Sequence, residues 1–484
     1  MQRHISASRV AELVGPALLR TEGPTYARLA DALRHAIGDG RVPEGTRLPS
    51  ERDLTGPVGL SRTTVTRAYA ELREQGYLRT RRGSGSVVSV PDVPGGRVDH
   101  LLSPATLAGD AVDLTCTAQG APRWLLEAYE QAVEDLRAYL PGTGYYPSGL
   151  PVLREHIARR YTDRGLPTDP DQVLVTAGAL SGIATACGSL VRRRDAVLVE
   201  SPTYANAIAT LEGSGARLVP HPLDHLTQDW DLPGLTSAVR SSRARAAYLI
   251  PDFHNPTGAL MSDEQRAEVA GVLRAAGTVA IVDESLVDLA LDGQEMPAPL
   301  ARHLPTAVTV GSASKSLWGG LRIGWLRVPR ARVEELATSR LRLDLGAPVV
   351  EQLVTAHLLE RYEEVLAERR AHLRAGRDTL VAGLAEHLPD WGVRTPGGGM
   401  ALWCALPQQG STLLATAARE HGLVLAAGPN FAPAGGLDGW LRLPYSLPAE
   451  QLALVPERLA AAWEDVVRGR VRPGTRGGRQ RIIA

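Results

Sequence analysis

Lys315 is the only lysine among the 53 lysine and arginine residues of the chain. A guanidinium group keeps its proton, so arginine cannot act as an amine nucleophile. A residue that forms a Schiff base must therefore remain lysine even where arginine serves every other cationic position. A lysine left over by chance would have no preferred setting, whereas Lys315 lies in the serine- and glycine-rich stretch SASKSLWGGLRIGW at 312–325. Residue type and setting together predict covalent amine chemistry.

A second stretch, TAGALSGI at 176–183, has the composition of a phosphate-binding turn. An apolar strand pattern ends in small residues there and a helix is predicted to follow. The backbone amides of Gly178, Ala179 and Leu180 can then face a phosphate at the helix N-terminus. Such turns are common, so this one gains its meaning from the lysine further along the chain.

The segment around Lys315 resembles the cofactor-lysine segment of fold-type I aminotransferases, which bind pyridoxal 5'-phosphate (PLP) through a Schiff base. The resemblance implies roles for further residues in the same chain order. Tyr204 in ESPTYANA would stack on the pyridine ring, and Asn255 in HNPTG would contact the cofactor hydroxyl. Asp283 in IVDES would hold the pyridinium proton.

The same resemblance assigns the phosphate and the carboxylate of a ligand. Ser312 and Arg322 flank Lys315 at the positions that grip the phosphate, and a guanidinium fork suits this task. Arg442 in LRLPYS resembles the arginine that clamps an amino-acid carboxylate. Taken singly, such residues have ordinary explanations: a helix cap, a core aromatic or a surface ion pair. Their joint order around the lysine favours one cofactor site.

Two features concern residues around this site. Many family members place a tyrosine two residues after the pyridinium aspartate, whereas this chain has Ser285 and then Leu286, so proton control at the cofactor can differ. The pair Tyr145 and Tyr146 in GYYPSGLPVLR matches the segment that reaches toward the partner's cofactor in aminotransferase dimers. The sequence does not select between the two tyrosines. A head-to-tail homodimer is implied by the resemblance.

The elements that must position these residues occupy 114–468. Apolar strand patterns such as DQVLVTAG, DAVLVE, AAYLI and VAIVDE alternate with amphipathic helical stretches. This alternation predicts an α/β domain with a parallel sheet covered by helices. The resemblance adds a large fold-type I aminotransferase-like domain with a smaller C-terminal α/β subdomain.

Residues 15–90 have a different pattern, with 12 arginines against 8 acidic residues. Helical periodicity precedes 38–40, Ser50 can cap a second helix, and Ser61 can cap a third in SRTTVTRAYAELREQG. The following YLRTRRGSGSVVSV alternates, turns at glycines and alternates again, as a hairpin does. Three helices and a basic hairpin predict a winged helix-turn-helix, in which the third helix enters the major groove of DNA.

The strings GRVPEGTRLPSERDL, LSRTTVTRAYAELREQGYL and RRGSGSVV resemble the GntR family of bacterial transcription regulators. The resemblance implies a double-stranded DNA operator as partner. It assigns DNA contacts to Arg52, Ser61, Arg62, Thr63, Thr64 and Arg67, with Gly83 at the wing tip. Residues 55–57 depart from the family, because Thr-Gly-Pro replaces a short alanine-rich run, and Pro57 lacks a backbone donor. We therefore expect the second helix to be short or kinked.

The remaining sequence predicts a linker at 91–113, rich in proline, glycine and small residues, and a basic disordered tail at 469–484. Three scattered cysteines give no metal or disulfide spacing, and a net charge of zero neither suggests nor excludes nucleic acid. No apolar run is long enough to span a bilayer. We expect a cytoplasmic protein with no membrane partner.

Together the two resemblances identify the chain as a member of the MocR subfamily of GntR regulators, in which an aminotransferase-like domain is the effector domain. The implied function is a PLP-dependent DNA-binding regulator that senses PLP itself, or an amine or amino acid that exchanges onto the Lys315 Schiff base. Turnover is unnecessary for such a sensor. The alternative is an active PLP-dependent aminotransferase with a fused DNA-binding module.

Overall fold

A computed structural model describes residues 4–18, 23–38, 41–43, 45–81, 85–89, 111–224 and 230–471. Three predictions fall wholly or partly outside these ranges: the wing tip with Gly83, most of the linker and most of the C-terminal tail. The described residues form two compact units. One contains those within Met1–Thr115, Ala405–Leu441 and Glu457–Ile483, and the other contains Cys116–Cys404 with Arg442–Pro456.

The N-terminal elements are four helices and a two-stranded hairpin. They are α1 (Ala7–Leu18), α2 (Thr25–Gly38), α3 (Glu51–Val58), α4 (Arg62–Glu74), β1 (Leu78–Arg81) and β2 (Gly85–Val88). The order of α2, α3, α4 and the hairpin is that of a winged helix-turn-helix. Helix α1 was not predicted from the sequence. It supplies Val10 and Val14 to the same buried core as Leu29 and Leu33.

Helix α3 is short, and Pro57 lies in its last turn. Ser50 caps its start, where the Ser50 side chain accepts a hydrogen bond from the Asp53 amide. Gly59 follows in the left-handed conformation, with φ 66°, and ends the helix. Because Pro57 lies so near this end, it costs the helix little, and of the two possibilities raised by the sequence the short helix is observed.

The hairpin turns one face inward and one face to solvent. Leu78 pairs with Val88 and both are buried in the core of this domain. One residue further along, Arg79 pairs with Val87, and Arg79 is exposed. Alternation along a strand therefore sends the basic side chain of Arg79 outward.

The remaining helices and strands lie between Val112 and Val467. The helices are α5 (Leu125–Asp135), α6 (Pro151–Asp163), α7 (Ala179–Leu190), α8 (Ala205–Gly213), α9 (Leu232–Ser242), α10 (Asp263–Ala276), α11 (Leu300–His303), α12 (Ala313–Ser316), α13 (Val333–Leu341), α14 (Val349–Glu360), α15 (Tyr362–His387), α16 (Ser411–Ala417), α17 (Ala449–Ala453) and α18 (Val455–Val467). The strands are β3 (Val112–Leu114), β4 (Val173–Thr176), β5 (Ala196–Ser201), β6 (Arg217–Pro222), β7 (Ala246–Leu249), β8 (Val279–Asp283), β9 (Val308–Ser312), β10 (Gly324–Arg327), β11 (Gly392–Val393), β12 (Ala401–Ala405), β13 (Leu423–Ala427) and β14 (Trp440–Pro444).

A seven-stranded sheet in the order β4-β10-β9-β8-β7-β5-β6 organises the second unit. The pairs among β9, β8, β7, β5 and β6 are parallel, whereas β10 is antiparallel to both β4 and β9. The sequence predicted a parallel sheet, and β10 departs from it for a simple reason. The segment 313–323 between β9 and β10 is too short for a full crossover helix, so the chain returns in the opposite direction.

The central strands are buried on both faces, because alternate residues join different cores. Ala247 and Val282 pack in one apolar cluster, whereas Tyr248 and Ile281 pack in the other. Such continuously apolar strands are typical of sheets covered by helices on both sides.

In the first unit, β3 pairs in parallel with β13, with Val112 opposite Leu423. The first two residues of β3, Val112 and Asp113, lie within the predicted linker. Among the described residues, no helix is long and apolar enough to cross a membrane.

Candidate cofactor site and DNA-reading helix

The candidate cofactor residues follow the carboxyl ends of neighbouring strands. Tyr204 follows β5, Asn255 follows β7, Asp283 ends β8, and Lys315 lies just after β9. These strands are parallel, so their carboxyl ends meet at one edge of the sheet. Ligands of open α/β sheets bind outside this edge. The topology therefore brings together residues that lie far apart in the sequence.

Lys315 lies on the short helix α12 and is half-buried. Its Nζ donates a hydrogen bond to the Thr117 carbonyl at 2.9 Å. The Gln119 side-chain amide donates to the Lys315 carbonyl at 3.4 Å, and Arg369 donates to the Leu317 carbonyl at 2.8 Å, which fixes the end of α12. Burial lowers the pKa of Lys315, so a larger fraction of its amine is neutral and nucleophilic.

Asp283 is buried at the end of β8 and accepts two hydrogen bonds. Tyr248 Oη donates to Oδ2 at 2.8 Å, and the Ser285 amide donates to Oδ1 at 2.9 Å. Burial raises the pKa of Asp283, while hydrogen bonds from Ser285 and Tyr248 and the charge of Lys315 act in the opposite direction. A carboxylate has about four acceptor positions, so room remains for a further donor such as a pyridinium N–H.

Arg442, Asn255 and Tyr204 form the opposite part of the site. Arg442 is fully buried on β14, and its Nη1 donates to Asn255 Oδ1 at 3.3 Å. Burial lowers the pKa of Arg442 to about 10. Burial raises the pKa of Tyr204, whose hydroxyl accepts a hydrogen bond from the Asn206 amide at 3.0 Å. The charges of Asp283 and Arg442 both act on Tyr204, so the three side chains share one electrostatic environment.

The predicted phosphate turn has the geometry of an anion cradle. Gly178 precedes α7 with φ 84°, a conformation that favours glycine. Among the described residues, no side chain caps this helix N-terminus. A Cβ on Gly178 would lie 2.7 Å from Arg322 Nη2. The Arg322 guanidinium therefore lies against the Gly178 turn that precedes α7.

Ser312 and Gly324 complete the cradle from the neighbouring strands. Ser312 ends β9 and its hydroxyl accepts a hydrogen bond from the Ser314 amide at 3.1 Å. Gly324 begins β10, where a Cβ would lie 2.6 Å from the Ala179 nitrogen. The absence of a side chain at Gly324 lets the two backbones approach, which fixes the direction of the α7 amides.

The two aromatic candidates for the partner's site differ in their surroundings. Tyr146 packs edge-on against Tyr139, with ring centroids 5.8 Å apart. Tyr145 is 64% exposed. Of the two, Tyr145 is therefore the more accessible to another protomer.

Four residues of this site escaped the sequence reasoning. Thr117 holds the Lys315 amine, Cys116 interacts electrostatically with Lys315 and Arg442, Gln119 bonds the backbone of α12, and Tyr248 bonds Asp283. The strand pattern around Tyr248 marked it only as core. The residues at 116–119 follow a predicted linker, and no local motif marks them.

The arrangement fits PLP. It supplies a lysine amine with a lowered pKa, a buried carboxylate with spare acceptor capacity, and a helix N-terminus beside an arginine where a Cβ would otherwise intrude. Arg442 adds a buried cation for a ligand carboxylate. Lys315, Asp283 and the Gly178 turn would hold the aldehyde, the pyridine nitrogen and the phosphate respectively.

The predicted DNA contacts cluster at the start of α4. The Ser61 hydroxyl accepts a hydrogen bond from the Thr64 amide at 3.2 Å and caps the helix. Arg62 and Thr63 are exposed in its first turn, and Thr64 is half-buried. An exposed first turn is the part of a recognition helix that reaches base edges and phosphates.

Arg52 and Arg67 extend this surface. Arg52 is exposed on α3. Arg67 is exposed on α4, and its guanidinium carbon lies 3.8 Å from the centre of the Tyr26 ring, which restricts where the side chain can reach. Five of the seven predicted contacts are thus exposed: Arg52 on α3, the capping residue Ser61, and Arg62, Thr63 and Arg67 on α4. Thr64 is half-buried, and Gly83 lies outside the described residues.

Comparisons with known proteins cover both parts of the chain. Residues 25–88 match the bacterial regulatory proteins of the gntR family, and residues 117–459 match the aminotransferase class I and II family. The HTH-type transcriptional regulator YdfD of Bacillus subtilis is 27% identical over 87% of this chain and 92% of its own length. The pyridoxine biosynthesis regulator PdxR of Corynebacterium glutamicum is 29% identical over 87% of this chain and 92% of its own.

Among solved structures, the α-aminoadipate aminotransferase LysN of Thermus thermophilus superposes with a TM-score of 0.69 at 26% identity. The match covers 77% of this chain and 98% of LysN, whose structure contains N-(5'-phosphopyridoxyl)-L-leucine. The fold predicted from the sequence is confirmed: a winged helix-turn-helix is joined to a fold-type I aminotransferase domain.

The family assignment supports DNA binding, a homodimer and a small-molecule effector, and the cofactor is pyridoxal 5'-phosphate. A GntR domain fused to an aminotransferase class I and II domain is the MocR arrangement, and the regulators YdfD and PdxR match it along nearly their whole length. The chain therefore belongs to the MocR subfamily of GntR-family transcriptional regulators.

Proposed function

We propose that this regulator senses PLP, or an amine or amino acid that exchanges onto PLP, through Lys315. The observation that carries the proposal is the setting of the only lysine in the chain. Its amine is half-buried, has a lowered pKa, and lies in one electrostatic environment with Asp283 and Arg442. No other amine side chain is available for covalent attachment.

When bound, PLP supplies an aldehyde that condenses with amines and a ring that withdraws electrons. Lys315 would hold this aldehyde covalently. If an amine effector displaced it, Lys315 Nζ could return to the Thr117 carbonyl, its partner in this structure at 2.9 Å. Arg442 would receive an effector carboxylate while keeping Asn255 beside the cofactor.

Effector binding can change DNA affinity only if it favours one arrangement of the protein over another. Moving the Lys315 amine to Thr117 and pairing Arg442 with a carboxylate both alter charges inside one small buried region. We propose that this local change biases how two reading heads of a head-to-tail homodimer engage paired half-sites on double-stranded DNA in the cytoplasm. Tyr145, which is exposed, would reach the partner's cofactor.

An active aminotransferase is the second candidate, because Lys315, Asp283 and Arg442 are all retained. The similarity to LysN supports the aminotransferase candidate through the shared fold. The GntR domain and the regulators matched over most of the chain favour regulation instead.

The deciding experiment follows the visible absorbance of the PLP-loaded protein while a panel of amino acids and amines is added. A regulator predicts a spectral shift by one compound without keto-acid release, or no response to the panel where PLP alone is the signal. If keto acid is released in repeated cycles with an acceptor, the protein is a catalyst, and the aminotransferase function replaces the regulatory one. Lys315→Ala serves as the control, since it removes the only attachment point.

A further inference from the structure

We infer that Tyr248 is a positioning residue that keeps Asp283 in the carboxylate form facing the pyridine nitrogen of PLP. This inference rests on the proposed role of Asp283 in the proposed function. Tyr248 does not contact the reacting amine, and it acts only through Asp283.

Strand register explains why Tyr248 reaches Asp283. Tyr248 on β7 lies opposite Ile281 on β8, and both side chains belong to the same apolar core. Asp283 is two residues beyond Ile281, so it projects from the same face of the sheet. The phenol ring extends diagonally along this face, and its hydroxyl meets Asp283 Oδ2 at 2.8 Å where the strand ends.

Burial creates the need for this hydrogen bond. Burial of Asp283 away from water favours the neutral carboxyl group. A neutral carboxyl group carries no negative charge to pair with a pyridinium N–H. A donated hydrogen bond stabilises the carboxylate instead. Tyr248 is fully buried and its own pKa is raised well above the ordinary value, so its hydroxyl keeps the proton that it donates to Asp283.

Among the described residues, Tyr248 is the tyrosine whose hydroxyl donates a hydrogen bond to Asp283. Oδ1 is bonded by the Ser285 amide, at the position where many family members have a tyrosine. The charge of Lys315 lowers the pKa of Asp283, whereas Tyr204 and Glu200 lie near Tyr248 and help to raise its pKa. A tyrosine hydroxyl therefore supports the carboxylate from the neighbouring strand.

A purely structural tyrosine and a positioning tyrosine predict different results for Tyr248→Phe. A structural role changes only the stability of the protein. A positioning role changes how Asp283 and the ring nitrogen share a proton. Without the Tyr248 bond, Asp283 competes better for this proton and the ring carries less positive charge. The Lys315 nitrogen joined to the ring then keeps its own proton to higher pH.

The experiment is a pH titration of the visible absorbance of PLP-loaded wild type and Tyr248→Phe. We expect the midpoint to rise by roughly one pH unit, a tenfold change in proton affinity. Tyr445→Phe is the matched control, since Tyr445 is equally buried and its hydroxyl donates to the Gly398 carbonyl at 3.0 Å. Its midpoint should equal that of wild type.

Attachment is checked by borohydride reduction and peptide mass analysis, which are unambiguous because Lys315 is the only lysine. If wild type carries PLP on Lys315 and Tyr248→Phe titrates as wild type does, the inference is wrong and the proposed function stands. If wild type itself carries no PLP on Lys315, both fall.

A second variant covers the case in which Tyr248→Phe does not fold. Site-specific replacement of Tyr248 by 3-fluorotyrosine keeps the ring and makes the hydroxyl a stronger donor. The same argument predicts a midpoint below that of wild type. A midpoint that does not move, or that rises, overturns the inference.

Discussion

Gly324 shows how one residue sets the geometry of the phosphate cradle. A Cβ at this position would lie 2.5 Å from the carbonyl carbon of Gly178 and 2.6 Å from the nitrogen of Ala179. Both are backbone atoms that cannot move aside without shifting the start of α7. The direction of the helix amides, and hence the strength of the anion site, depends on this contact.

Gly324→Ala is expected to destabilise the protein by about 1–3 kcal/mol through overpacking and to weaken PLP binding at least about tenfold. Gly319→Ala is the matched control, because no described atom outside its own chain neighbours lies within 4 Å of a Cβ at that position. Urea denaturation and PLP titration of both variants measure the effect. Equal behaviour of the two variants would show that the close approach is unimportant.

The lowered pKa of Lys315 predicts the pH dependence of PLP attachment. Burial favours the neutral amine, so the reactive fraction is complete at a lower pH than for an ordinary lysine. The initial rate of attachment, followed by absorbance, should rise with pH and level off below the ordinary lysine pKa. If the rate instead rises with pH up to the pKa of a free lysine analogue, as the analogue's rate does, the lowered pKa of Lys315 is contradicted.

At the scale of elements, helix α4 carries the proposed DNA-reading surface, which includes the capping residue Ser61. Ser61 stabilises the helix through the Thr64 amide, whereas Arg62 is exposed in the first turn. The two side chains therefore serve separable purposes. We expect Ser61 to affect both folding and DNA contact, and Arg62 to affect DNA contact alone.

Ser61→Ala should lower the free energy of unfolding by about 1 kcal/mol and also weaken DNA binding. Arg62→Ala should leave the unfolding free energy unchanged, weaken DNA binding, and reduce the slope of log affinity against log salt by about one if Arg62 contacts a phosphate. Thermal unfolding and fluorescence anisotropy separate the two. Loss of stability in Arg62→Ala would assign it to the fold instead.

Most elements could be predicted because their patterns are local. The apolar strands, the caps Ser50 and Ser61 and the phosphate turn all follow from neighbouring residues. The direction of β10 and the bond from Tyr248 to Asp283 depend on strand order, which no local pattern contains. Helix α1 was missed because its place becomes clear only from the core it covers.

At the scale of the whole molecule, a DNA-binding domain and a PLP-binding domain share one chain. The family assignment accounts for the presence of both domains. Lys315 gives a small molecule a point of covalent attachment. A regulator of this kind needs only a difference in effector affinity between two arrangements, and a coupling of 1–3 kcal/mol changes DNA affinity by about 5–150-fold.

The most direct measurement is the DNA affinity of the full-length protein with and without PLP, using a duplex selected from a random library by the wild type. PLP, alone or with the amine that shifts its spectrum, should change wild-type affinity at least about fivefold. The affinity of Lys315→Ala should not respond, while its DNA binding without PLP remains. An equal response in both proteins, or none in a PLP-loaded wild type, would contradict sensing through Lys315.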